Sequence, residues 1–227
     1  MVSEFPRRPK LLKGALVAYQ SQLIPGVPRV VLFQYNPDTL TRTLRHRTAS
    51  GDGTDGGSSA DAREILQVTG PPEESISMKV TLDAVEQLEF PAKNPDVVAA
   101  GLHPALATLE LLLYPRSELV LSNMIRGQAG SRSITAADVP LSLLVWGPAR
   151  VVPVKVTSLS VTEQAFDQML NPIQAEVSLE VQVLTYRELE RNTLGHGVSL
   201  ANHIAKEALS AVHQHRTAAE TVGQLPF

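Results

Sequence analysis

The segment from Ile173 to Val183 constrains the fold of this chain more than any other feature. Its apolar residues alternate with Gln174, Glu176, Ser178, Glu180 and Gln182 without a break. Because successive side chains of a strand point to opposite faces, this pattern predicts a β-strand with one buried face. At about 3.3 Å per residue the segment and its flanks are roughly 40 Å long. That length exceeds an ordinary strand and favours a large curved sheet or a barrel wall.

Shorter alternating segments occur elsewhere in the chain. Ile76–Leu82 has apolar residues at every second position and predicts a half-buried strand. The apolar residues change phase by one position between Val156 and Leu159, and this shift around Thr157–Ser158 predicts a β-bulge. Further strands are predicted over Gly14–Tyr19, Val30–Tyr35, Thr39–Thr48 and Leu141–Trp146.

Helices are predicted in two regions. Asn94 followed by Pro95 is typical of a helix start, and an almost wholly apolar run follows Pro104, so a buried central helix is expected at about 94–114. Ser199 is expected to cap a final amphipathic helix that ends near Thr217. The segments 51–59 and 116–139 are expected to be loops. The expected fold class is mainly β with flanking helices, α+β, with a β domain over 1–190 and a helical extension over 191–227.

Composition excludes several classes of protein. The 227 residues are 43% hydrophobic, and no apolar run approaches the roughly 20 residues that a membrane-crossing helix needs. The net charge of -3 gives no concentrated basic surface for nucleic acid. The chain has no cysteine, and its N-terminal segment lacks the apolar core of a secretory signal. We therefore expect assembly in the cytoplasm, with no membrane or nucleic-acid partner.

No catalytic or cofactor-binding pattern is recognisable. The sequence has no GxxxxGK[ST] phosphate loop, no GxGxxG between a predicted strand and a helix, and no GxSxG nucleophile elbow. His213 and His215 point to different faces of the predicted helix, and Asp52 and Asp55 lack the ligand spacing of a calcium loop. We therefore predict no catalytic residue, no cofactor, no metal site and no small-molecule substrate.

The polar side of the long strand has two interpretations. In a free-standing domain it faces bulk water, whereas in a sheet shared between subunits it lines a wet channel. A polar lining of mixed charge would let cargo pass without adhering, while the apolar side packs against an outer layer. The residues that would then face the lumen are Ser77, Lys79, Thr81, Gln174, Glu176, Ser178, Glu180 and Gln182.

Three segments together resemble the tube-protein family of contractile injection systems, which are relatives of phage tail tubes and their baseplate initiators. The first is Phe33–Leu40, with its F-x-[FY]-N-P motif, and the second is Gly101–Glu110, similar to the family's central helix. The third runs from Val154 to Val183. The motif positions are Phe33, Tyr35, Asn36, Pro37, Pro104, Phe166 and Pro172.

The resemblance implies a tail-tube-like β-barrel or sandwich subunit that contributes strands to a ring-shaped hexameric barrel. Such rings stack on one another or connect the spike hub to the growing tube. The implied partners are other copies of this chain, an adjacent tube ring, the spike or hub protein, and sheath or wedge proteins. Pairing between copies would also remove exposed strand edges, which otherwise promote aggregation.

The leading hypothesis is a structural, non-enzymatic tube-initiation or adapter ring between the baseplate spike hub and the inner tube. After cytoplasmic assembly it would belong to an injection particle, retained in the cell or released. The alternatives are the main inner-tube subunit and a monomeric β-sandwich binding module. In place of the LysM-like module of some family members, this chain has a helix that is expected to dock on a partner. Its apolar residues are Leu200, Ile204, Ala208, Leu209 and Val212.

Overall fold

The computed structural model describes residues 12–19, 28–47, 70–115, 117–128 and 139–222. These residues form seven strands and five helices. The strands are β1 (Ala15–Tyr19), β2 (Arg29–Leu32), β3 (Leu40–Arg45), β4 (Glu73–Asp83), β5 (Leu141–Val145), β6 (Val151–Phe166) and β7 (Pro172–Val183). The helices are α1 (Val85–Leu88), α2 (Pro95–Ala100), α3 (His103–Glu110), α4 (Ser117–Gln128) and α5 (Leu194–Val222).

All seven strands belong to one antiparallel sheet in the order β2-β1-β5-β6-β7-β4-β3. The long strands β6, β7 and β4 are neighbours, and β2 and β3 are the outermost strands. Five helices accompany this sheet, so the expected mainly-β, α+β class is confirmed. The long predicted strand is β7, which spans 12 residues, and its partner β6 spans 16.

The predicted β-bulge in β6 is confirmed. Val156 lies opposite Val181 and Leu159 lies opposite Leu179, so the register shifts between Val156 and Ser158. One extra residue on β6 returns its later apolar side chains to the face that carries Val154 and Val156. The bulge therefore keeps one continuous apolar face along a strand whose sequence changes phase.

The hydrophobic core lies on one face of the sheet, beneath α3. Ile76, Val154, Val177 and Val181 are each at most 1% exposed, and they belong to a single apolar cluster. The residues of α3 and its flanks that join this cluster are Leu102, Leu106, Leu109 and Leu112. The helix is thus held by one apolar face, whereas the sequence predicted a helix buried on most sides: Pro104, Ala105 and Ala107 are exposed.

The segment after β2 draws two distant parts of the sheet together. The Phe33 amide donates to the Gly14 carbonyl beside β1 at 2.9 Å. The next side chain, Gln34, bonds the end of β4: its Nε2 donates to the Asp83 carbonyl at 2.7 Å, and the Asp83 amide donates to its Oε1 at 2.9 Å. In a flat sheet β1 and β4 would lie about 19 Å apart. Because two consecutive residues reach both strands, the sheet is curved.

The central helical region differs from the expectation. Residues 94–114 form two short helices, α2 and α3, separated at Gly101, rather than one helix. Asn94 and Pro95 occupy the expected positions at the start of α2. The Asn94 side chain makes no cap, however, because its Nδ2 donates to the carbonyls of Gln87 and Phe90 at 2.9 and 3.2 Å and closes the preceding turn.

Two further helix expectations are wrong. The segment 116–139 is not entirely a loop, because Ser117–Gln128 is α4. Val120, Leu121, Met124 and Ile125 repeat at helical spacing, a signal that polar residues between them obscured.

The last helix starts before Ser199. α5 begins at Leu194, and the Thr193 Oγ1 accepts a hydrogen bond from the His196 amide at 3.3 Å as an N-cap does. The glycine-rich segment 51–59 lies outside the described residues.

Gly101 packs against the chain where β7 begins. Its φ is +55° and its ψ is -133°, a conformation that residues with a Cβ rarely adopt. A Cβ at this position would lie 2.4 Å from the Pro172 carbonyl oxygen, and the Leu102 amide donates to that same oxygen at 2.8 Å. The close approach of these two backbones fixes α3 on the sheet.

We expect Gly101→Ala to lower the free energy of unfolding by about 2–4 kcal/mol, because it adds backbone strain and a clash with backbone that cannot move away. Urea denaturation measures this change. Gly197→Ala is the matched control: Gly197 is exposed within α5 with nothing near its missing Cβ, so the substitution should stabilise by about 0.5–1 kcal/mol. Equal stability of the two variants would contradict the assigned role of Gly101.

Candidate functional site

The predicted lumen-facing residues share one face of β4 and β7. Ser77 lies opposite Glu180, Lys79 opposite Ser178, and Thr81 opposite Glu176. Gln174 and Gln182 lie on the same face, opposite Asp83 and Ser75. The structure therefore brings together every residue of this set, on the side of the sheet away from the core. Whether that side faces a lumen stays a prediction.

The same face continues onto β3 and β6, so it is four strands wide. We call it the polar face and define it by register with β4 and β7. Its members are Thr41, Thr43, Arg45, Glu73, Ser75, Ser77, Lys79, Thr81, Asp83, Lys155, Ser158, Ser160, Thr162, Ala165, Gln174, Glu176, Ser178, Glu180 and Gln182. Three are basic and four are acidic, and Ala165 is the one apolar member. The polar face is therefore hydrophilic with nearly balanced charge.

One ion pair crosses the polar face. Lys79 Nζ lies 2.8 Å from Glu176 Oε1, and the hydrogen bond and charge of Glu176 raise the pKa of Lys79. The Lys79 side chain is 71% exposed, so solvent screens the pair and it contributes little to stability.

Two strand edges border the polar face, and both are open. Among the described residues, β3 pairs only with β4, and residues 155–166 of β6 pair only with β7. The beginning of β6 differs, because Val151–Val154 is also paired with β5. Each open edge presents backbone amides and carbonyls that a further strand could pair with.

A groove lies between α5 and the ends of the long strands. Its volume is about 500 Å³. We call it the α5 groove; strands β3, β4, β6 and β7 contribute Leu44, Glu74, Val152, Pro153 and Val183 to its wall. On its other side α5 contributes polar residues such as Asn202, His203 and Ser210. The groove combines an apolar floor with a polar helix wall.

A buried carboxylate holds α5 on the sheet. Glu74 is 6% exposed; Arg42 donates to its Oε1 at 2.7 Å, and Lys206 donates to its Oε2 at 3.0 Å. Burial alone would raise the pKa of Glu74, but the hydrogen bonds and charges of Arg42 and Lys206 outweigh burial and hold the pKa below its ordinary value. The three residues link β3, β4 and α5.

Tyr186 provides a second anchor for α5. Its ring is stacked on His203 with centroids 5.9 Å apart, and it meets the edge of His196 at 6.4 Å. The two histidines are seven residues apart, or about two helical turns, so they lie on the same side of α5. Asn202 adds a hydrogen bond from its side chain to the Val151 carbonyl.

The motif positions divide into core and surface residues. Phe33 is 1% exposed and packs against Trp146 with ring centroids 6.3 Å apart. Asn36 joins two parts of the segment before β1, since its Nδ2 donates to the Leu12 carbonyl and its Oδ1 accepts from the Gly14 amide, both at 2.8 Å. Pro172 is buried, Pro37 is half-buried, and Tyr35, Pro104 and Phe166 are exposed.

The expected docking residues of the last helix all face away from the sheet. Leu200, Ile204, Leu209 and Val212 are 41–69% exposed, and Ala208 is exposed as well. The helix instead contacts the sheet through polar and charged side chains. Sequence reasoning missed those contacts. One signal could have found Glu74, which stands in phase with the apolar residues of β4 and so lies on the inward face of that strand.

No protein-family model matches the chain, and a search of curated proteins finds no significant match. Within the described ranges, no helix is long and apolar enough to cross a membrane. In the same ranges, no group of three or more His, Asp or Glu side chains is placed to hold a metal ion.

We expect Glu74→Gln to lower the free energy of unfolding at pH 7 by about 1–3 kcal/mol, because it removes the acceptor charge between Arg42 and Lys206. The lowered pKa of Glu74 means that its contribution is complete above the ordinary value of 4.5 and is lost as the pH falls through the folded-state pKa. The difference between wild type and variant should therefore shrink below pH 4.5. Urea denaturation at several pH values measures it.

Glu176→Gln is the control for this experiment, since it removes an acid from an exposed ion pair on the polar face. Its denaturation midpoint should follow that of the wild type at every pH. A constant difference between wild type and Glu74→Gln from pH 7 to pH 3 would show that Glu74 does not titrate as described.

Proposed function

We propose that this chain is a ring-forming structural subunit of a phage-tail-like contractile injection system. Its place would be a tube-initiation or adapter ring between the baseplate spike hub and the inner tube. The segment resemblance suggests the system. The observation that carries the ring is the pair of open strand edges on either side of the polar face.

The strand directions of the two edges are compatible with pairing. The polar face has four strands, β3, β4, β7 and β6, and each is antiparallel to the next. Because this number is even, the outer strands β3 and β6 run in opposite directions. A neighbour placed by rotation can therefore add its β3 to the open part of β6 as a further antiparallel strand, and the pattern repeats around a closed ring.

The stagger of the two edges also supports a ring. When the register is followed from β3 across β4 and β7 to β6, the middle of β3 aligns with Lys155 and Val156. The open part of β6 is instead centred near Ser160. This offset of about five residues, or ~17 Å, accumulates over four strands that are together ~19 Å wide. Pairing the edges would incline the strands by about 40°, within the 35–45° found in β-barrels.

A hexameric ring of this kind would contain about 24 strands. At about 4.8 Å per strand its circumference would be roughly 115 Å, which corresponds to a diameter of roughly 37 Å before the strands are inclined. The polar face would line this passage, and the core and α3 would lie outside. A hydrophilic lining with nearly balanced charge suits a passage through which cargo must move without adhering.

In this proposal the partners are other copies of the chain, the adjacent tube ring and the spike hub, with sheath or wedge proteins as candidates for the outer face of α5. The protein forms the wall of the passage and performs no catalysis. Copy number separates the adapter from its alternative, the main tube subunit, because an adapter occurs once per particle as a ring whereas a tube repeats it along its length. Quantitative mass spectrometry of purified particles measures that number.

We expect the purified chain to form a particle of about 147 kDa, a hexamer of the 24.5 kDa subunit, in mass photometry. A proline on the open edge of β6 should prevent this. Consecutive amides of a strand point to opposite edges, so of Thr162→Pro and Glu163→Pro one removes a bond to β7 and the other alters only the open edge. The edge variant should retain the wild-type denaturation midpoint and remain monomeric.

The two proline variants control each other, because they differ by one position along the same strand. The variant that breaks the bond to β7 is recognised by its lower stability. If the stable variant still assembles into rings, edge pairing through β6 is wrong. If the wild type is a monomer at high concentration and on a tube template, a monomeric binding module becomes the better explanation.

A further inference from the structure

The turn between β6 and β7, residues 166–172, is a rigid hairpin tip with an apolar end. Met169 is 81% exposed and Leu170 is 77% exposed. Beneath them, Asp167 Oδ1 accepts hydrogen bonds from the amides of Met169 and Asn171 at 2.7 and 2.8 Å, and Asn171 Nδ2 donates to Asp167 Oδ2 at 2.9 Å. The side-chain hydrogen bond from Asn171 leads the interactions that hold the pKa of Asp167 below its usual range. The turn is therefore organised around an ionised carboxylate.

Leu170 is held in a conformation that is unfavourable for leucine. Its φ is +64°, a left-handed value at which glycine or asparagine would be more stable. Among the described residues the leucine side chain is not buried in return, since it is 77% exposed. Backbone strain of this kind clusters at active sites, ligand clamps and switch regions. The tip is therefore a candidate contact surface, with Met169 and Leu170 at its end.

The α5 groove lies at the other end of the same strands. The tip joins the end of β6 to the start of β7, whereas the groove contains Val152 near the start of β6 and Val183 at the end of β7. The two features are thus about 40 Å apart along the hairpin. At about 500 Å³, the groove is roughly three times the ~150 Å³ that accommodates a benzene-sized group, so it has room for both side chains of the tip.

We propose that the hairpin tip of one copy docks into the α5 groove of a second copy, so that copies associate head to tail along the strand direction. The contact is heterologous, because the two surfaces differ and lie at opposite ends of the chain, and such contacts propagate. Combined with the lateral ring of the proposed function, on which this inference rests, it stacks rings of this chain, which is the arrangement of the main-tube alternative rather than of a single adapter ring. The groove wall that α5 supplies then forms one face of the joint between rings.

Because the chain contains no cysteine, engineered thiols test this contact directly. Met169→Cys places a thiol on the tip and Ser210→Cys places one in the α5 groove. The double variant, treated with a short bis-maleimide cross-linker, should give a ladder of dimers, trimers and longer species on denaturing gels. The two thiols cannot react within one chain across ~40 Å, and each single variant can give dimers only.

The matched control moves the second thiol by two residues. Val212 is 69% exposed on the outer side of α5, away from the groove, so Met169→Cys with Val212→Cys should give no ladder. A ladder of equal yield from this pair would overturn the proposal, because it would reflect collision rather than docking. Absence of a ladder from the Met169→Cys and Ser210→Cys pair would overturn it as well.

Leu170→Asn tests the tip without damaging the turn, since asparagine tolerates a positive φ better than leucine. Its denaturation midpoint should equal or exceed that of the wild type, and electron microscopy should show about tenfold fewer stacked particles, because the apolar contact of Leu170 is lost. Single rings should persist. Wild-type rings that never stack would overturn the docking but leave the ring proposal standing, whereas ladders without any rings would support the docking and contradict the ring.

Discussion

The antiparallel ladder of β4, β7 and β6 is the constraint on which the rest of the structure depends. Apart from Glu74 and the phase change at the bulge in β6, its residues alternate so that one side of the sheet is apolar and the other is polar. The apolar side determines where α3, Phe33 and the outer strands must pack, because that is the surface that has to leave water. The polar side is what remains, and no helix of the core can cover it. The apolar side that packs and the polar face that stays uncovered therefore both follow from the two-residue alternation of side chains along these strands.

The sequence was sufficient for features that depend on this period. The strands, the pairing of β4 with β7 on one face, and the bulge near Thr157 all follow from the positions of apolar residues. Helix limits were harder to predict, because they depend on local contacts. Gly101 ends α2 where the backbone meets Pro172, and Thr193 caps α5 six residues before Ser199, the cap that the sequence suggested. Gly101 and Pro172 are 71 residues apart in the chain, so their contact cannot be recognised before the fold is known.

The candidate site shows the same division. The composition of the polar face could be predicted from the sequence. The open edges beside it could not, because an open edge depends on which strands lack a paired neighbour in the folded sheet. The anchoring of α5 was also hidden: Glu74 signals an inward-facing acid, but its partners Arg42 and Lys206 lie 32 and 132 residues away. The amphipathic pattern of α5 predicted that its apolar side docks on a partner, but it gave no sign that charged and polar groups hold the helix on its own sheet. Its hydrophobic side is left facing outwards.

The bulge at Thr157 has a consequence for how the protein could reach its assembled state. It lies close to where β6 parts from β5. About a quarter of β6 is paired on both sides within its own subunit, and the other twelve residues form an open edge among the described residues. About half of the backbone groups along that edge point away from β7 and would be unpaired in a freshly folded copy. Newly folded subunits would then be most prone to aggregate before they pair with other copies. A cell that produced them in excess of their assembly partners would accumulate insoluble protein rather than a reserve of free subunits.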